Sequence, residues 1–148
     1  MIKSDRERAK KLQEINECKK IIEQNRALLT RIGLPEDQIE ANVQPTVAIL
    51  EGLNQEVREY DSLTDGSKPP QASIEGIGDL LVKLRIYKKL TQKALADKIG
   101  VDETQVSRDE RNRYKGVSLE RLLKVVHALE VQVNCTVNEA DSEHFVSA

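Results

Sequence analysis

Apolar residues near the start of the chain recur at the spacing of an amphipathic helix. Between Ser4 and Arg31 they come every three or four residues, with Lys and Glu between them, so this segment is predicted to be a helix that Gly33 ends. A second stripe predicts a helix from about Pro45 to Tyr60, and the turn before it has room for a short helical segment ahead of the proline. The stripes consist of Leu12, Ile15, Cys18, Ile22, Leu29 and Ile32, and of Val47, Leu50, Leu53, Val57 and Tyr60.

Two striped helices joined by a short turn pack most simply as an antiparallel hairpin, which is predicted for residues 1–62. The stripes either bury only each other or are covered in addition by a second copy or by another protein. We favour the second interpretation because two helices alone make a thin core.

The rest of the chain divides by composition and periodicity. Residues 63–75 contain a Pro-Pro pair with Gly, Ser and Asp and show little periodicity, so they are predicted to be a linker. The helical period resumes at Ile77, and a helical domain is predicted over residues 76–130. Residues 139–148 are predicted to be a flexible tail.

Residues 131–138 alternate between apolar and polar side chains, which is the two-residue period of a half-buried β-strand. Because no other segment predicts a strand, this one would pair with the same strand of a second copy across a dimer axis, or with a different protein. We favour the dimer. The predicted dimerisation residues are Val131, Val133, Cys135 and Val137.

The most informative stretch is residues 90–108, which read LTQKALADKIGVDETQVSR. A short helix can begin with Thr91 as its cap and end at Gly100, a residue type that tolerates the left-handed conformation of a tight turn. Asp102 can cap a second helix, with Gln105 placed to complete a capping-box-like pair. Two short helices joined in this way form a helix-turn-helix unit, whose second helix is free to enter a major groove.

The small, apolar and turn positions of this stretch form one pattern: Leu90-Thr91-Gln92, Leu95-Ala96, Gly100-Val101, Val106-Ser107-Arg108 and Glu110. In these positions the chain resembles the Xre family, the phage-repressor and Cro type of helix-turn-helix protein, and residues 118–129 resemble the closing helix of that family. The resemblance runs from Gly76 to Val131 and implies a five-helix domain that binds double-stranded operator DNA as a dimer. The expected fold class is therefore all-α, with the hairpin and a single dimer strand added to that domain.

The resemblance also implies roles for individual residues. Gln92 would anchor the first helix of the unit on a phosphate. Glu103, Thr104, Ser107 and Arg108 would face the bases. Arg108 can donate two parallel hydrogen bonds to guanine, Glu103 can accept one from cytosine, and Thr104 offers a hydroxyl and a methyl group to thymine. The Ser107 hydroxyl suits either a base or a phosphate.

Three basic residues follow the second helix of the unit, namely Arg111, Arg113 and Lys115. Beside DNA they would contact phosphates and strengthen binding without reading sequence, and the alternative is a solvated basic loop. Asp109 stands where the family has an apolar residue. Its carboxylate must reach solvent or pair with Arg113 or another nearby cation. The loop from Arg111 to Val117 is also slightly longer than is usual in the family.

Charge and composition agree with a DNA-binding centre. The net charge is −2, but basic residues outnumber acidic ones in residues 76–134, and acidic residues are in excess on both sides. No apolar run approaches the roughly 20 residues of a membrane span. The first residues lack the apolar stretch of a signal peptide, so a cytoplasmic location without membrane association is expected.

Enzymatic chemistry is not indicated. Cys18 and Cys135 stand alone, outside any CxxC spacing, which indicates neither a zinc site nor a disulfide framework. His127 lies inside an apolar helical stripe, and His144 lies in the predicted tail. Because no catalytic motif or glycine-rich phosphate loop is present, we expect no enzyme activity, no metal and no cofactor.

The combination of one helix-turn-helix unit with an additional interaction segment resembles the antitoxins of type II toxin–antitoxin pairs, such as the HigA and HipB kinds. In those proteins DNA binding represses the operon and a separate surface holds the toxin. The hairpin would then be the toxin-binding or dimerising part. Two alternatives remain: a stand-alone or prophage-type repressor, and a protein–protein adaptor that has lost DNA affinity, which Asp109 and the near-neutral charge favour.

Overall fold

The computed structural model describes residues 1–66 and 69–137, and every regular element in that part of the chain is helical. Its six α-helices are α1 Asp5–Arg31, α2 Glu36–Thr64, α3 Ile77–Tyr87, α4 Gln92–Ile99, α5 Glu103–Arg111 and α6 Leu119–Ala128, with a 3₁₀ turn at Ile74–Gly76. α1 and α2 pack along each other as a hairpin, and α3 to α6 follow as a group of short helices. The predicted all-α class is confirmed.

Local signals set both ends of α1. The Ser4 hydroxyl accepts a hydrogen bond from the Glu7 backbone N–H at 3.3 Å, and the Glu7 carboxylate accepts one from the Lys3 N–H at 2.8 Å. The first bond satisfies a donor that the helix start leaves free, and the second holds the residue before the cap against the first turn. At the other end Gly33 has a left-handed φ of 84°, which reverses the chain before α2.

α2 begins much earlier than the sequence indicated. The prediction of a helix from about Pro45 was wrong, because α2 starts at Glu36 and runs through the proline without a break. Pro45 is exposed, so the carbonyl that loses its N–H partner to the proline ring can bind water instead. Buried Ile39 and Val43 extend the apolar stripe across the first turns and hold them against α1.

The foot of the hairpin is joined to the short helices by a shared core. Ile2, Tyr60 and Leu63 belong to the same cluster of buried side chains as Leu80 and Leu84 of α3. The Tyr60 hydroxyl donates a hydrogen bond to the Asp5 carboxylate at 2.9 Å. Burial and this bond raise the pKa of Tyr60 to about 12. The hairpin is therefore packed onto the rest of the described chain rather than tethered by the linker alone.

The predicted strand is not present. Residues 131–137 adopt no regular secondary structure, and residue 138, like the predicted tail, lies outside the described residues. Val131 and Val133 pack at the edge of the core, whereas Cys135 is exposed and Val137 is 94% exposed. The alternation therefore reflects two valines that cover the core. A β-strand needs a neighbouring strand for its backbone hydrogen bonds, and the described chain offers none, so alternation alone was not enough to form a strand.

The expected five-helix domain is also corrected. Residues 76–130 contain four α-helices, α3 to α6, preceded by the 3₁₀ turn. After α6 the chain leaves the helical path at Glu130, which has a left-handed φ of 55°. Since Val131 and Val133 then cover the core at this end, no fifth helix is needed there.

Candidate nucleic-acid interface

α4 and α5 meet in a tight corner that local signals define. The Thr91 hydroxyl accepts a hydrogen bond from the Ala94 N–H at 3.0 Å and so caps α4. Gly100 ends α4 with a left-handed φ of 73° and ψ of 37°, and its conformation leads the chain directly toward α5. Asp102 occupies the cap position of α5, but its side chain makes no capping hydrogen bond. The predicted capping pair with Gln105 is therefore absent.

Apolar contacts fix the angle between the two helices. Leu95 is 0% exposed, and Ala96 and Val106 are each 1% exposed. A small side chain at Ala96 lets the two backbones approach closely, and a rigid corner results.

The outer face of α5 carries the residues that were predicted to face bases. Glu103, Thr104 and Arg108 are exposed, and Ser107 is half-buried beside them. The four positions are spaced so that they share one side of the helix. None of the four side chains makes a hydrogen bond or ion pair with another of the described residues. These side chains are thus available to an external partner.

The inner side of α5 carries a buried ion pair that the sequence did not reveal. Arg85 is 3% exposed and Glu110 is 1% exposed, and the guanidinium binds the carboxylate through two contacts of 2.5 and 2.9 Å. Arg85 also donates to the carbonyl oxygens of Leu90 at 2.8 Å and Lys3 at 3.3 Å. One side chain of α3 thereby links α5, the α3–α4 turn and the first residues of the chain.

Gln92 is held by the same group. Its side-chain amide donates a hydrogen bond of 2.7 Å to the Glu110 carboxylate, so the first residue of α4 has a fixed orientation. The helical spacing of Arg85 from an apolar residue was the one sequence signal that could have pointed to the pair, although it was not used. Arg85 lies four residues after the fully buried Leu81, which places a cation on the buried side of α3.

The basic residues after α5 lie together at the surface. Arg111, Arg113 and Lys115 are exposed and line one shallow depression with Asn112. Arg113 and Tyr114 have left-handed φ values of 54° and 53°, which hold this loop in a sharp bend. Tyr114 anchors the bend from inside, and its burial raises its pKa.

Residues 81–134 match a protein-family model that is described as helix-turn-helix. The chain contains a helix-turn-helix domain. No curated protein and no solved structure matches the chain. The helix-turn-helix match supports a DNA-binding transcriptional regulator, and α4 and α5 lie within the matched residues.

Asp109 is accommodated inside the helix-turn-helix domain. Its side chain is almost buried, and its carboxylate accepts a hydrogen bond from the Gln105 amide at 2.8 Å. Arg121 of α6 forms the ion pair, at 3.0 Å. Arg113, the partner that the sequence suggested, instead lies 3.6 Å from Asp79 of α3. The acidic residue therefore joins α5 to α6.

Two further features, a metal cluster and a membrane-spanning helix, are absent from the described residues. Within residues 1–66 and 69–137 no cluster of three or more His, Cys, Asp or Glu side chains could hold a metal ion. Over the same ranges none of the helices combines the length and apolar character of a membrane span.

Proposed function

We propose that the protein is a sequence-specific transcriptional repressor that reads operator DNA with α5. One observation carries this proposal: the recognition helix has its inner side buried in the domain and its outer side unoccupied. Val106, Asp109 and Glu110 are buried, whereas Glu103 and Arg108 face outward. A helix in this position can enter the major groove and present side chains to base edges.

Arg108→Ala should reduce affinity for the preferred operator by about 1–3 kcal/mol, because it removes two hydrogen bonds to one guanine. The preference at that base pair should relax, while the preference at other positions stays. Binding titrations against duplexes that carry each single-base change measure both effects. An equal loss of affinity on every sequence would contradict base reading by Arg108.

Lys115→Ala is the matched comparison, since it removes a cation from the loop rather than from the recognition helix. We expect affinity to fall uniformly across sequences, and the slope of log K against log salt concentration to fall by about one. Unchanged binding would mean that Lys115 contacts solvent and not a DNA phosphate.

We also propose that operator binding requires a homodimer, because one recognition helix spans only a few base pairs. Two copies related by a two-fold axis would protect half-sites whose centres are about 34 Å apart, or a multiple of that distance. Footprinting together with sedimentation analysis measures this arrangement. A single protected half-site occupied by one chain would exclude it.

A second candidate function, an autorepressing antitoxin, is favoured by the surface of the hairpin. Ile21 and Leu28 lie on one side of α1, away from the foot, and Ile32 follows at the end of the helix; Leu28 and Ile32 are 54% and 62% exposed. Exposed apolar residues grouped in this way mark a protein contact rather than a DNA contact. The proposed partner is a toxin protein encoded beside this chain.

Co-expression with the product of the adjacent reading frame tests this candidate. A complex should form, and the double variant L28E/I32E should abolish it while operator binding by the free protein is retained. Ile74→Glu is the control, because Ile74 is 68% exposed but lies outside the hairpin. If the adjacent product does not bind, the stand-alone repressor remains.

An adaptor that has lost DNA affinity is the alternative from another class. Asp109 was the residue that favoured it, but its carboxylate is directed to Gln105 and Arg121 within the domain and adds no bare acidic group to the outer face of α5. Titration with a duplex from the DNA upstream of the protein's own reading frame separates the two functions. A repressor complex weakens steeply with added salt, whereas an adaptor gives no such complex.

A further inference from the structure

A cleft lies between the start of α1 and the start of α4, next to the recognition helix. Its volume is about 860 Å³. Gln92 and Glu103, which belong to the proposed DNA interface, form one part of its lining. The hairpin and the α3–α4 turn contribute the basic residues Lys3, Arg6, Lys10 and Lys89. The cleft therefore continues the proposed DNA-binding surface onto the hairpin.

Three exposed basic side chains of the cleft have no ion-pair partner among the described residues, whereas Arg85, at its buried end, is paired with Glu110. Arg6, Lys10 and Lys89 are exposed, and none of them forms an ion pair with any residue in the described ranges 1–66 and 69–137. Arg8, which follows Arg6 closely, contrasts with them because it binds Asp61 at 2.6 Å. The cleft thus contains cations that the fold itself does not use.

The acidic residues at the start of α1 are already bound by groups of the hairpin. Asp5 accepts the hydrogen bond of Tyr60, and Glu7 accepts that of the Lys3 N–H. Glu103 is the remaining carboxylate of the cleft, on the side of the recognition helix. These neutral donors leave both carboxylates charged, but Lys3, Arg6 and Lys10 outnumber Asp5 and Glu7 on the hairpin side, which makes that side the more favourable position for an anion.

Two helix starts also face this cleft, because Ser4 caps α1 and Thr91 caps α4, and both residues line it. Each helix start carries a partial positive charge, which adds to the charge of the lysines and arginine. Backbone N–H groups at helix starts are common ligands of phosphate.

The position of the cleft relative to α5 is fixed by buried contacts. Ile2 is 2% exposed in the shared core, and the Lys3 carbonyl accepts a hydrogen bond from Arg85, the residue that binds Glu110 of the recognition helix. The backbone that carries Arg6 and Lys10 is thus held beside α5 before DNA binds, so no rearrangement of the main chain is needed to form the cleft.

We propose that this cleft binds a backbone phosphate of duplex DNA beside the base-reading site, with Arg6 and Lys10 as its principal ligands and Lys89 across the cleft. The proposal rests on the proposed DNA-binding function and extends the interface beyond residues 81–134 onto the hairpin. Phosphate contacts carry no sequence information, so the cleft contributes affinity and register rather than specificity.

The double variant R6Q/K10Q in the full chain tests the proposal. The probes are a duplex from the DNA upstream of the protein's own reading frame and an unrelated duplex of equal length, each titrated at several salt concentrations. The slope of log K against log salt concentration should fall by about 0.9 for each phosphate that the variant no longer neutralises, and on both duplexes alike. The base preferences that Arg108 determines should not change.

The control is K19Q/K20Q, which removes the same charge from exposed positions farther along α1. Its slope should equal that of the wild type. If R6Q/K10Q has the wild-type slope as well, or binds more tightly, the cleft is not a phosphate site while the DNA-binding function stands. If the wild-type chain binds neither duplex, the function and the inference fail together. Thermal unfolding of both variants excludes a loss of fold as the cause of weaker binding.

Discussion

Glu110→Ala should lower the free energy of unfolding by about 3–5 kcal/mol, because it leaves a buried cation without its anion. Arg85 is 3% exposed, so its guanidinium cannot recover hydration once the carboxylate is removed. The Gln92 amide loses its acceptor in the same variant. Urea denaturation of wild type and variant measures the difference.

Two comparisons separate this effect from the loss of any acidic side chain on α5. Glu103→Ala removes an exposed carboxylate from the same helix and should change stability by no more than about 0.5 kcal/mol. Replacing both partners, as in Arg85→Met with Glu110→Leu, should recover much of the loss because no charge is then left buried. A Glu110→Ala protein as stable as the Glu103→Ala protein would show that Arg85 does not depend on this carboxylate.

The buried pair should also couple stability to the proposed DNA reading. Arg85 binds the end of the recognition helix and the carbonyl that precedes α4, and Glu110 orients Gln92 at the start of α4. We therefore expect that replacing either residue changes the orientation of α5 relative to α4. Variants at the outer face of α5 should change base preference without this loss of stability.

The corner between α4 and α5 could be predicted because its signals are local. Thr91 caps α4, Ala96 lets the two helices approach, and Gly100 ends α4 in a left-handed turn. Each of these residues acts on groups only a few positions away in the sequence. The stripe of α1 and its Ser4 cap were readable for the same reason. The start of α2 was missed because a proline was taken as a boundary, although an exposed proline can be tolerated inside a packed helix.

The partners of buried charges could not be predicted, because they lie far away in the sequence. The carbonyl of Lys3 is 82 residues from the Arg85 that binds it, and Arg121, which binds Asp109, belongs to another helix. The valines at 131 and 133 show the same limit. The alternation correctly predicted that these two valines face the core. Only the structure shows that the core they cover is made of helices and that they do not join a sheet.

Gly78→Ala should destabilise the protein by about 3 kcal/mol, because α3 passes against the backbone of the loop that follows α5. A Cβ atom at this position would overlap the carbonyl carbon and oxygen of Arg113. The loop cannot easily retreat, since Tyr114 is buried and its N–H donates a hydrogen bond of 2.7 Å to the Asp109 carbonyl. Thermal or urea unfolding measures the loss, and phosphate contacts by Arg111 and Lys115 should weaken with it.

Gly52→Ala is the matched control and should change stability in the opposite direction. Gly52 lies inside α2, and a Cβ atom there would meet nothing within 4 Å beyond its neighbouring residues and the adjacent backbone of its own helix. Alanine is favoured over glycine in a helix by about 0.5–1 kcal/mol, so this variant should be more stable than the wild type. The opposite signs of two identical substitutions therefore test the close approach of α3 to the loop. A Gly78→Ala protein that gains stability as Gly52→Ala does would refute that contact.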